Sequence, residues 1–367
     1  MAASSSEMNL TLFTLPNELR NGCAVRSNFA QPPRSLCAQT VARSRVAARR
    51  LLHCGLVRAL IVSNMWPTPQ RPALGTFVVD QVEALRRLGS VDVEVATFPP
   101  GGAHYLTAIP GLARRRGYDV VHAHFGLTAL PALAAGGAFR GVTLHGTDLI
   151  APRSRRATLA VLPRYDLVAV PSAWARDELL PPARASRARV LPCGVDLHTF
   201  APTDRREART ALGLDPGAPF ALFPYDPARA VKRHDFAVAA AGEHQLYTLG
   251  NEPRDRMRLW LAAASVVLCP ADWETFGMAA VEAAGCGTTV VATRVGVHPE
   301  VLDPLPWAVC ADFDAPVWRA AVDTAIEADE QHPDGAVHVR PWSSDAMAEQ
   351  LVEAWQSGSG SRRQRPE

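Results

Sequence analysis

Two glutamates and one lysine are the residues of this sequence whose types and spacing could do chemistry. Glu274 and Glu282 lie eight positions apart in the segment ADWETFGMAAVEAAGCGTTVVAT, which is otherwise rich in small residues. Carboxylates accept charge-assisted hydrogen bonds from hydroxyl groups, each worth about 1.5–3 kcal/mol. Of the 38 basic residues, Lys232 is the only lysine.

The residues around the two glutamates predict a site for an anion that carries hydroxyl groups. Glu274 follows an apolar, strand-like run, ASVVLCP, and Gly277 stands where the next helix should begin. The N-terminus of a helix attracts anions because its N–H groups are unpaired and its dipole points outward. Glu282 lies about one and a half turns inside that helix, so both carboxylates can face one cleft. The alternative is that the two glutamates are unrelated surface acids.

Lys232 is the cation expected to neutralise a diphosphate bound at such a site. It follows the apolar run FALFPYD, and Arg229 and Arg233 lie beside it. The arginine bias of the chain reflects a GC-rich coding sequence, so the one retained lysine points to a specific role. We expect Lys232 to be needed for its charge and not for the stability of the fold.

Composition limits the class of protein. The chain has 367 residues, is 48% hydrophobic and carries a formal net charge of +2, which fits two globular domains. This charge is too small for a dedicated nucleic-acid binder. The seven cysteines are odd in number and include no C-x-x-C pair, which favours the reduced thiols of a cytoplasmic protein over disulfides or a zinc site. No apolar run reaches the roughly 18–20 residues of a membrane span.

Short apolar runs that alternate with helical stretches predict a parallel sheet in residues 58–203. The runs are RALIVSN, VDVEVATF, YDVVHAHFG, GVTLHGTD, YDLVAVPS and ARVLPCGVD. Strands of a parallel sheet are buried on both faces and are therefore apolar along their length. The pattern predicts an α/β domain with a doubly wound sheet covered by helices.

The same pattern restarts after a polar, Pro- and Gly-rich connection at 201–219. The runs FALFPYD, HQLYTLG, ASVVLCP, TTVVATRVG and WAVCADFD predict a second Rossmann-like domain over 204–341. A helix over 342–356 and a flexible tail over 357–367 are predicted to follow. Ligands of open parallel sheets bind beyond the carboxyl ends of the strands, so two such domains predict a cleft lined by strand ends.

The motif ETFGMAAVE, followed by AAGCGTTVVATRVGVHPEV, resembles the E-x7-E signature of the retaining family-4 glycosyltransferases, which have the GT-B fold. Their first strand, phosphate loop and helix resemble RALIVSNMWPTPQRPALGTFVVDQVEALRRLG, and later blocks resemble YDVVHAHFG, TLHGTDL, AVPSAWARDEL and VLPCGVDLHTFAP, in the same order. The resemblance covers about residues 58–356. It implies an acceptor domain over 58–203, a nucleotide-sugar domain over 204–341 and a C-terminal helix that crosses back to the first domain.

The resemblance implies roles for the second domain. Glu282 would bind the ribose hydroxyls of a nucleotide, and Glu274 would hold the hydroxyls of the donor sugar. Backbone N–H groups would assist Glu274, and they belong to Phe276, Gly277 and Met278.

It also implies the cation and the contribution of the first domain. Lys232 and Arg229 would stabilise the departing diphosphate. Gly75 and Thr76 would let the backbone of the first domain approach the phosphates, and His145 would contact the donor sugar near the point of transfer.

The implied reaction moves a sugar from a nucleoside diphosphate sugar to a hydroxyl acceptor, with retention of configuration and without a metal ion or cofactor. The acceptor could be a glycan, a lipid-linked sugar or a small molecule. Two alternatives stay open: a sugar-nucleotide 2-epimerase of the same fold, which would need further acids in the cleft, and a non-catalytic GT-B binding subunit.

The sequence departs from the family pattern near Lys232. The family places an arginine five residues before the lysine, where this chain has Pro227, and Arg229 lies only three residues before it. Either Arg229 or Arg233 is therefore the expected partner of Lys232. Only about 30 residues separate Lys232 from ASVVLCP, a shortening that resembles relatives of the teichuronic-acid type.

Two other motifs are interpreted as structural. His122 and His124 could suggest a metal, but we expect their rings to lie on opposite faces of a strand. The motif DFD at 312–314 imitates the metal-binding D-x-D of other transferases and is predicted to be a solvated loop. No metal site is expected.

The ends and the basic segments carry the remaining predictions. ARRRG at 113–117 and PRSRR at 152–156 are interpreted as an arginine-biased surface, with peripheral contact to an anionic membrane as the alternative. Residues 1–57 match nothing in the family and are expected to be a disordered extension. Val57 stands where relatives begin, so a natural start at Val57 is a further expectation.

Overall fold

The structure of the protein, a computed structural model, describes residues 56–362. The predictions made for residues 1–55 and 363–367 lie outside this range. Within it, the chain forms two parallel sheets, each covered by helices on both faces.

The first sheet has six parallel strands in the order β2-β1-β3-β4-β5-β6. Its strands are β1 (Val57–Ser63), β2 (Val91–Thr97), β3 (Tyr118–His124), β4 (Gly137–Thr143), β5 (Leu167–Val170) and β6 (Arg189–Val190). The helices between them are α1 (Thr76–Arg87), α2 (Gly102–Thr107), α3 (Ile109–Ala113), α4 (Ala129–Ala132), α5 (Thr147–Ile150), α6 (Pro152–Val161), α7 (Ala173–Leu179) and α8 (Pro182–Ala185). The strand order reverses between β1 and β3, which is where open parallel sheets bind ligands.

The second sheet has five parallel strands in the order β11-β10-β9-β7-β8. Its strands are β7 (Ala221–Phe223), β8 (Leu246–Thr248), β9 (Val266–Cys269), β10 (Thr289–Ala292) and β11 (Val309–Cys310). Its helices are α9 (Arg205–Ala211), α10 (His234–Ala241), α11 (Arg254–Ala263), α12 (Met278–Gly285), α13 (His298–Leu302), α14 (Ala315–Ala328) and α15 (Asp334–His338). Here the order reverses between β7 and β9, the two strands that precede Lys232 and Glu274.

Burial explains why the inner strands of the second sheet are apolar. All four residues of β9 and all four of β10 are buried, as parallel strands covered on both faces must be. The first sheet has a separate hydrophobic cluster on each face. The sequence prediction of two α/β units with the strand runs in this order is therefore confirmed.

The last helix, α16 (Ser344–Arg362), returns to the first sheet. Its buried Trp355 joins the cluster formed by α1 and one face of that sheet, and Arg87 of α1 donates hydrogen bonds of 3.1 and 2.7 Å to Asp345. The chain crosses between the domains twice, and the two crossing segments are hydrogen-bonded to each other. Val195 N donates to Trp342 O, and Ser344 N donates to Val195 O.

The predicted flexible tail is wrong for residues 357–362, because α16 continues through them to Arg362. The segment SGSGSR has low intrinsic helix propensity. Tertiary contact explains the helix, since the backbone at Gly358 approaches the ring of Phe139 so closely that a Cβ would collide with it. Among the described residues, no helix is both long and apolar enough to cross a bilayer.

Candidate active site

Lys232 and Glu274 meet at the carboxyl ends of β7 and β9. Lys232 ends a 3-10 turn, Ala230–Lys232, and Glu274 lies in the loop that leads to α12. The ammonium of Lys232 donates to Oε1 of Glu274 and also lies 4.3 Å from the centre of the Tyr225 ring. Lys232 is only 5% exposed. The sequence predicted that both residues belong to one site but did not predict that they pair.

This ion pair changes one expectation about Lys232. The side chain of Glu274 is 14% exposed, so removal of Lys232 would leave a poorly solvated carboxylate without its counter-charge. Breaking one side of a buried pair is destabilising. We therefore expect Lys232 to contribute to stability as well as charge, contrary to the inference from sequence alone.

The N-terminus of α12 lies beside this pair and supplies free donors. Gly277 caps the helix with φ at 105°, and a side chain there would collide with the buried His298 ring. Within residues 56–362 the amide N–H groups of Phe276, Gly277 and Met278 donate no hydrogen bond. These N–H groups and the ammonium of Lys232 together form a site suited to an anion.

Glu282 lies inside α12 and is 8% exposed. In the described part of the chain its carboxylate accepts no hydrogen bond. Burial raises the pKa of Glu282 to about 7, although the nearby charge of Arg254 opposes the rise. A carboxylate held this way is available to accept hydrogen bonds from a ligand.

Arg254 is a site residue that the sequence did not single out. It begins α11, just beyond the carboxyl end of β8, and its Nη2 lies 2.7 Å from Oδ2 of Asp80 in the first domain. The same nitrogen is 4.0 Å from Asp196 in the interdomain connection. Its position after a strand could have identified it. Because the chain contains 37 arginines, residue type alone did not distinguish Arg254 from the others.

The pKa of Asp80 is raised to about the same value as that of Glu282. Burial raises the pKa of Asp80 to about 7; Arg254 lowers it, and the charges of Glu282 and Asp196 raise it further. Three carboxyl groups from both domains and their connection therefore surround one guanidinium. This cluster links helix α12 electrostatically to α1 of the first domain.

The two arginines beside Lys232 differ in what they contact. Arg233 donates to Asp235 and Asp272, and its guanidinium stacks over Phe236. Arg229 is exposed, and among residues 56–362 only its backbone is hydrogen-bonded. Its N–H donates to Asp226 O at 3.0 Å, and its carbonyl accepts from the N–H of Lys232 at 2.8 Å. Arg229 is thus the better candidate for a second cation at the site.

The first domain contributes a loop and a helix start after β1. Gly75 caps α1 with φ at 69°, and a Cβ there would collide with the backbone of Met65. Only glycine permits this packing together with this backbone conformation. Thr76 is the first residue of α1 and is half-buried.

His145 is the point where the first domain touches the loop of Glu274. Thr275 Oγ1 donates to the carbonyl oxygen of His145 at 3.3 Å, and Gly146 lies so close to Thr275 that a Cβ would collide with it. The ring of His145 packs 4.7 Å from that of Phe77. Burial and the charge of His124 hold the pKa of His145 well below its usual value.

The expectation that His122 and His124 lie on opposite faces of β3 is wrong. Their ring centroids are 5.4 Å apart, because residues two positions apart on a strand share a face. Both rings are buried and hydrogen-bonded to protein groups. Across the described residues there is no group of three or more His, Cys, Asp or Glu side chains that could hold a metal ion.

Comparison with protein families places this geometry in a known group. The family described as Glycosyltransferase Family 4 matches residues 60–199, and the family described as Glycosyl transferases group 1 matches residues 230–333. The two matches together cover well over half of the chain. The chain belongs to the family-4 glycosyltransferases.

Several curated members of this family are similar in sequence. D-inositol 3-phosphate glycosyltransferase 1 of Catenulispora acidiphila is 31% identical over 245 residues, which are 51% of this chain and 58% of that protein. D-inositol 3-phosphate glycosyltransferase of Mycolicibacterium gilvum is 28% identical over 263 residues, 58% of this chain and 59% of that protein. The match thus spans a little under three fifths of the length of these relatives.

Solved structures show the same GT-B fold. Sucrose-phosphate synthase from Thermosynechococcus elongatus aligns with a TM-score of 0.62 at 19% identity, over 83% of this chain and 100% of that one. HepE from Anabaena, solved in complex with UDP and glucose, aligns with a TM-score of 0.59 at 16% identity, over 82% and 99%. The predicted family and GT-B fold are confirmed, whereas the teichuronic-acid type stays a prediction.

Proposed function

We propose that this family-4 glycosyltransferase moves a sugar from a nucleoside diphosphate sugar to a hydroxyl acceptor, with retention of configuration and without a metal ion. The observation that carries the proposal is the Lys232–Glu274 pair beside the N–H groups at the start of α12. Within the described part of the chain these N–H groups donate no hydrogen bond, and Glu282 of the same helix accepts none. This arrangement supplies a cation and helix donors for a diphosphate and carboxylates for hydroxyl groups at both ends.

Each part of the donor would have its own partner. The carboxylate of Glu282 would accept from the two ribose hydroxyls, and it is free to do so because no group of the described chain donates to it. The diphosphate would face the N-terminus of α12 and draw Lys232 away from Glu274. Glu274, released from the ion pair, would then accept from hydroxyls of the sugar.

Catalysis would consist mainly of stabilising the departing diphosphate. As the bond between the anomeric carbon and the phosphate oxygen breaks, negative charge would grow on that oxygen. Lys232, Arg229 and the α12 N–H groups would stabilise this charge. Preorganised donors of this kind usually supply the largest single contribution to catalysis. The acceptor hydroxyl would attack the same face of the sugar and pass its proton to the departing phosphate, so no protein nucleophile is needed.

The first domain would close over the donor and bind the acceptor. Gly75 and Thr76 would bring the backbone of α1 against the phosphates, and His145 would contact the transferred sugar. Contact with an anionic membrane stays a prediction. Two of the basic residues that suggested it have roles within the fold, since Arg115 pairs with Glu94 and Arg155 donates to Leu149 O.

The UDP and glucose of the Anabaena structure and the names of the curated relatives suggest where to begin the test. Nucleotide sugars, with UDP sugars first, would be screened for thermal stabilisation of the protein, and release of nucleoside diphosphate would then be measured with and without EDTA. Stabilisation by one donor and release that EDTA does not abolish would support the proposal. Epimerised donor without release would favour the 2-epimerase, and binding without either product would favour a binding subunit.

A further inference from the structure

A row of three side chains runs from the interior of the first domain to His145. The amide nitrogen of Gln81, on α1, lies 3.0 Å from Nε2 of His124 at the end of β3. Nδ1 of His124 lies 3.0 Å from Nε2 of His145, and the two rings stack at an angle of 18°. Gln81 is 6% exposed and His124 is 1% exposed, so each has little access to water as a substitute partner.

The amide of Gln81 determines which atoms donate and which accept along this row. In the structure the Gln81 amide turns its nitrogen towards His124. With this orientation the nitrogen donates, so Nε2 of His124 accepts and the proton of His124 lies on Nδ1. That Nδ1–H in turn donates to Nε2 of His145, which leaves the proton of His145 on its own Nδ1. Burial lowers the pKa of His124 to about 3 and holds that of His145 well below its usual value, so each ring carries a single proton near neutral pH.

The far side of the His145 ring is open. Among residues 56–362, Nδ1 of His145 has no hydrogen-bond partner, and it is not one of the buried polar atoms left unpaired. The backbone of His145 contacts Thr275, the residue after Glu274. The free N–H therefore belongs to a ring held beside the loop that would carry the transferred sugar.

A second buried row provides an internal comparison. The indole N–H of Trp355 donates to Nδ1 of His122 at 3.1 Å, and Nε2 of His122 lies 2.8 Å from Oγ1 of Thr143. This row fixes the tautomer of His122, but among the described residues it ends at Thr143 and has no hydrogen bond to His145. A change in it should therefore leave His145 unaffected.

We propose that Gln81 and His124 are positioning residues that hold His145 in the tautomer protonated on Nδ1, so that it offers a hydrogen-bond donor to an oxygen of the transferred sugar. The donation to the sugar rests on the proposed function, whereas the tautomer of His145 does not. The opposite tautomer would present a lone pair to the cleft and could not donate. In histidine sites generally, the hydrogen bond made by one ring nitrogen determines which of the two nitrogens carries the proton.

The direct test is nitrogen NMR of the full chain with ring-labelled histidine, because protonated and unprotonated ring nitrogens have well-separated shifts. The signals of His145 would be assigned by their loss in His145→Asn. The expected wild-type result is a protonated Nδ1 and an unprotonated Nε2 on His145. A protonated Nε2 would overturn the proposal, and this readout requires no turnover, so a failure of the proposed transferase activity would be distinguishable from it.

Two substitutions of His124 form a matched pair. In His124→Asn the amide nitrogen can occupy the place of Nδ1 and still donate to His145, whereas in His124→Gln the amide reaches towards Gln81 and leaves His145 without its donor. We expect kcat/KM with the nucleotide sugar to fall about tenfold in His124→Gln, the loss of roughly one hydrogen bond, and to recover to within threefold in His124→Asn. Thr143→Val, in the second row, should leave the His145 spectrum unchanged. Equal losses of kcat/KM in both His124 variants would contradict the proposal. A His145 tautomer that is the same in wild type and in both variants would also contradict it.

Discussion

At the scale of single residues, Lys232 and Glu274 hold each other in place when no donor is bound. The ammonium is buried against Tyr225 and donates to the carboxylate. A bound diphosphate would compete with Glu274 for the same ammonium. In the proposed function, the pair would supply one charge for the phosphate and one acceptor for the sugar.

Lys232→Ala should lower both activity and stability. We expect the rate of transfer to fall roughly 10²–10³-fold, the scale of removing one oxyanion donor, and the melting temperature to fall because Glu274 is left without its partner. Adding Glu274→Gln should restore the melting temperature but not the transfer. Lys232→Arg should recover only part of the rate, since a planar guanidinium does not replace a compact ammonium. Near-normal transfer by Lys232→Ala would show that the cation lies elsewhere.

Glu282 should make donor binding depend on pH. Its pKa lies at about 7 because of burial, and the ionised form is the better acceptor for two ribose hydroxyls. Affinity for a nucleotide sugar should therefore rise as pH increases from 6 to 8, by about tenfold, since one pH unit below the pKa leaves about a tenth of the groups ionised. A nucleotide sugar is the suitable probe because its diphosphate does not titrate in this range.

Calorimetry at several pH values would measure this dependence, with Glu282→Gln as the comparison. The variant should bind more weakly at pH 8 and show a nearly flat profile. The same slope in wild type and Glu282→Gln would assign the titration to another group, of which Asp80 is the first to examine because its pKa is also about 7.

Prediction from sequence worked at this scale where a residue followed a recognisable motif. Glu274, Glu282 and Lys232 lie at strand ends or in the helix that follows one, and the rule for parallel sheets located them. Arg254 and Asp80 were not found, because their importance comes from a contact between residues 174 positions apart. The predicted roles of the site residues stay predictions.

At the scale of elements, a buried ionic network stabilises the second domain away from the site. Arg209 of α9 is fully buried and donates to both carboxylate oxygens of Asp329, at 2.8 and 2.7 Å. It also donates to Ala263 O at 2.9 Å and to Ser265 Oγ at 3.1 Å. Asp329 ends α14 in the left-handed region, with φ at 44°, so the network fixes the end of that helix.

Arg209→Met should destabilise the protein by about 3 kcal/mol, because it removes the donor to Oδ2 of Asp329 and the donor to the buried Ala263 carbonyl. Arg205 and Ser265 still donate to Oδ1 of Asp329. The figure is at the low end of the range for buried pairs since the Asp329 side chain is 30% exposed. Arg206→Met, on the exposed side of the same helix, should change stability by no more than about 0.5 kcal/mol. Chemical denaturation would measure both, and equal effects of the two substitutions would contradict the role given to Arg209.

Strands were easier to predict than the end of the last helix. The inner strands β9 and β10 are short apolar runs between polar segments, and burial on both faces of a parallel sheet requires that pattern. The segment SGSGSR has the opposite property, since its composition disfavours a helix. The close packing of Gly358 on Phe139 and the hydrogen bond from Arg189 to Ser357 at 3.3 Å hold the helix there, and contacts between distant positions cannot be inferred from local composition.

At the scale of the whole molecule, polar contacts near the site join the two domains. Asn251 donates to Gln70 O at 3.1 Å and accepts from Ala73 N at 3.3 Å. Arg254 pairs with Asp80, and Thr275 donates to His145 O. These contacts are polar and lie near Lys232 and Glu274, so we expect the two domains to separate there when they break.

Arg254→Met should therefore shift the free protein towards a more open form. The substitution removes the guanidinium that balances Asp80 and Asp196 across the cleft, and small-angle X-ray scattering should record a larger radius of gyration without ligand. Arg256→Met, on the exposed face of α11, serves as the control and should leave the radius unchanged. An unchanged radius in Arg254→Met would mean that α16 and the connection alone set the distance between the domains.

The central claim is that Glu282 and Glu274 bind opposite ends of one nucleotide sugar. Titration calorimetry with the nucleoside diphosphate, which lacks the sugar, separates the two roles most directly. Glu282→Ala should weaken binding of the nucleoside diphosphate at least tenfold, whereas Glu274→Ala should bind it as tightly as wild type or more tightly, because Lys232 is then free for the phosphates. Equal losses of affinity in the two variants, or no loss in Glu282→Ala, would contradict the claim.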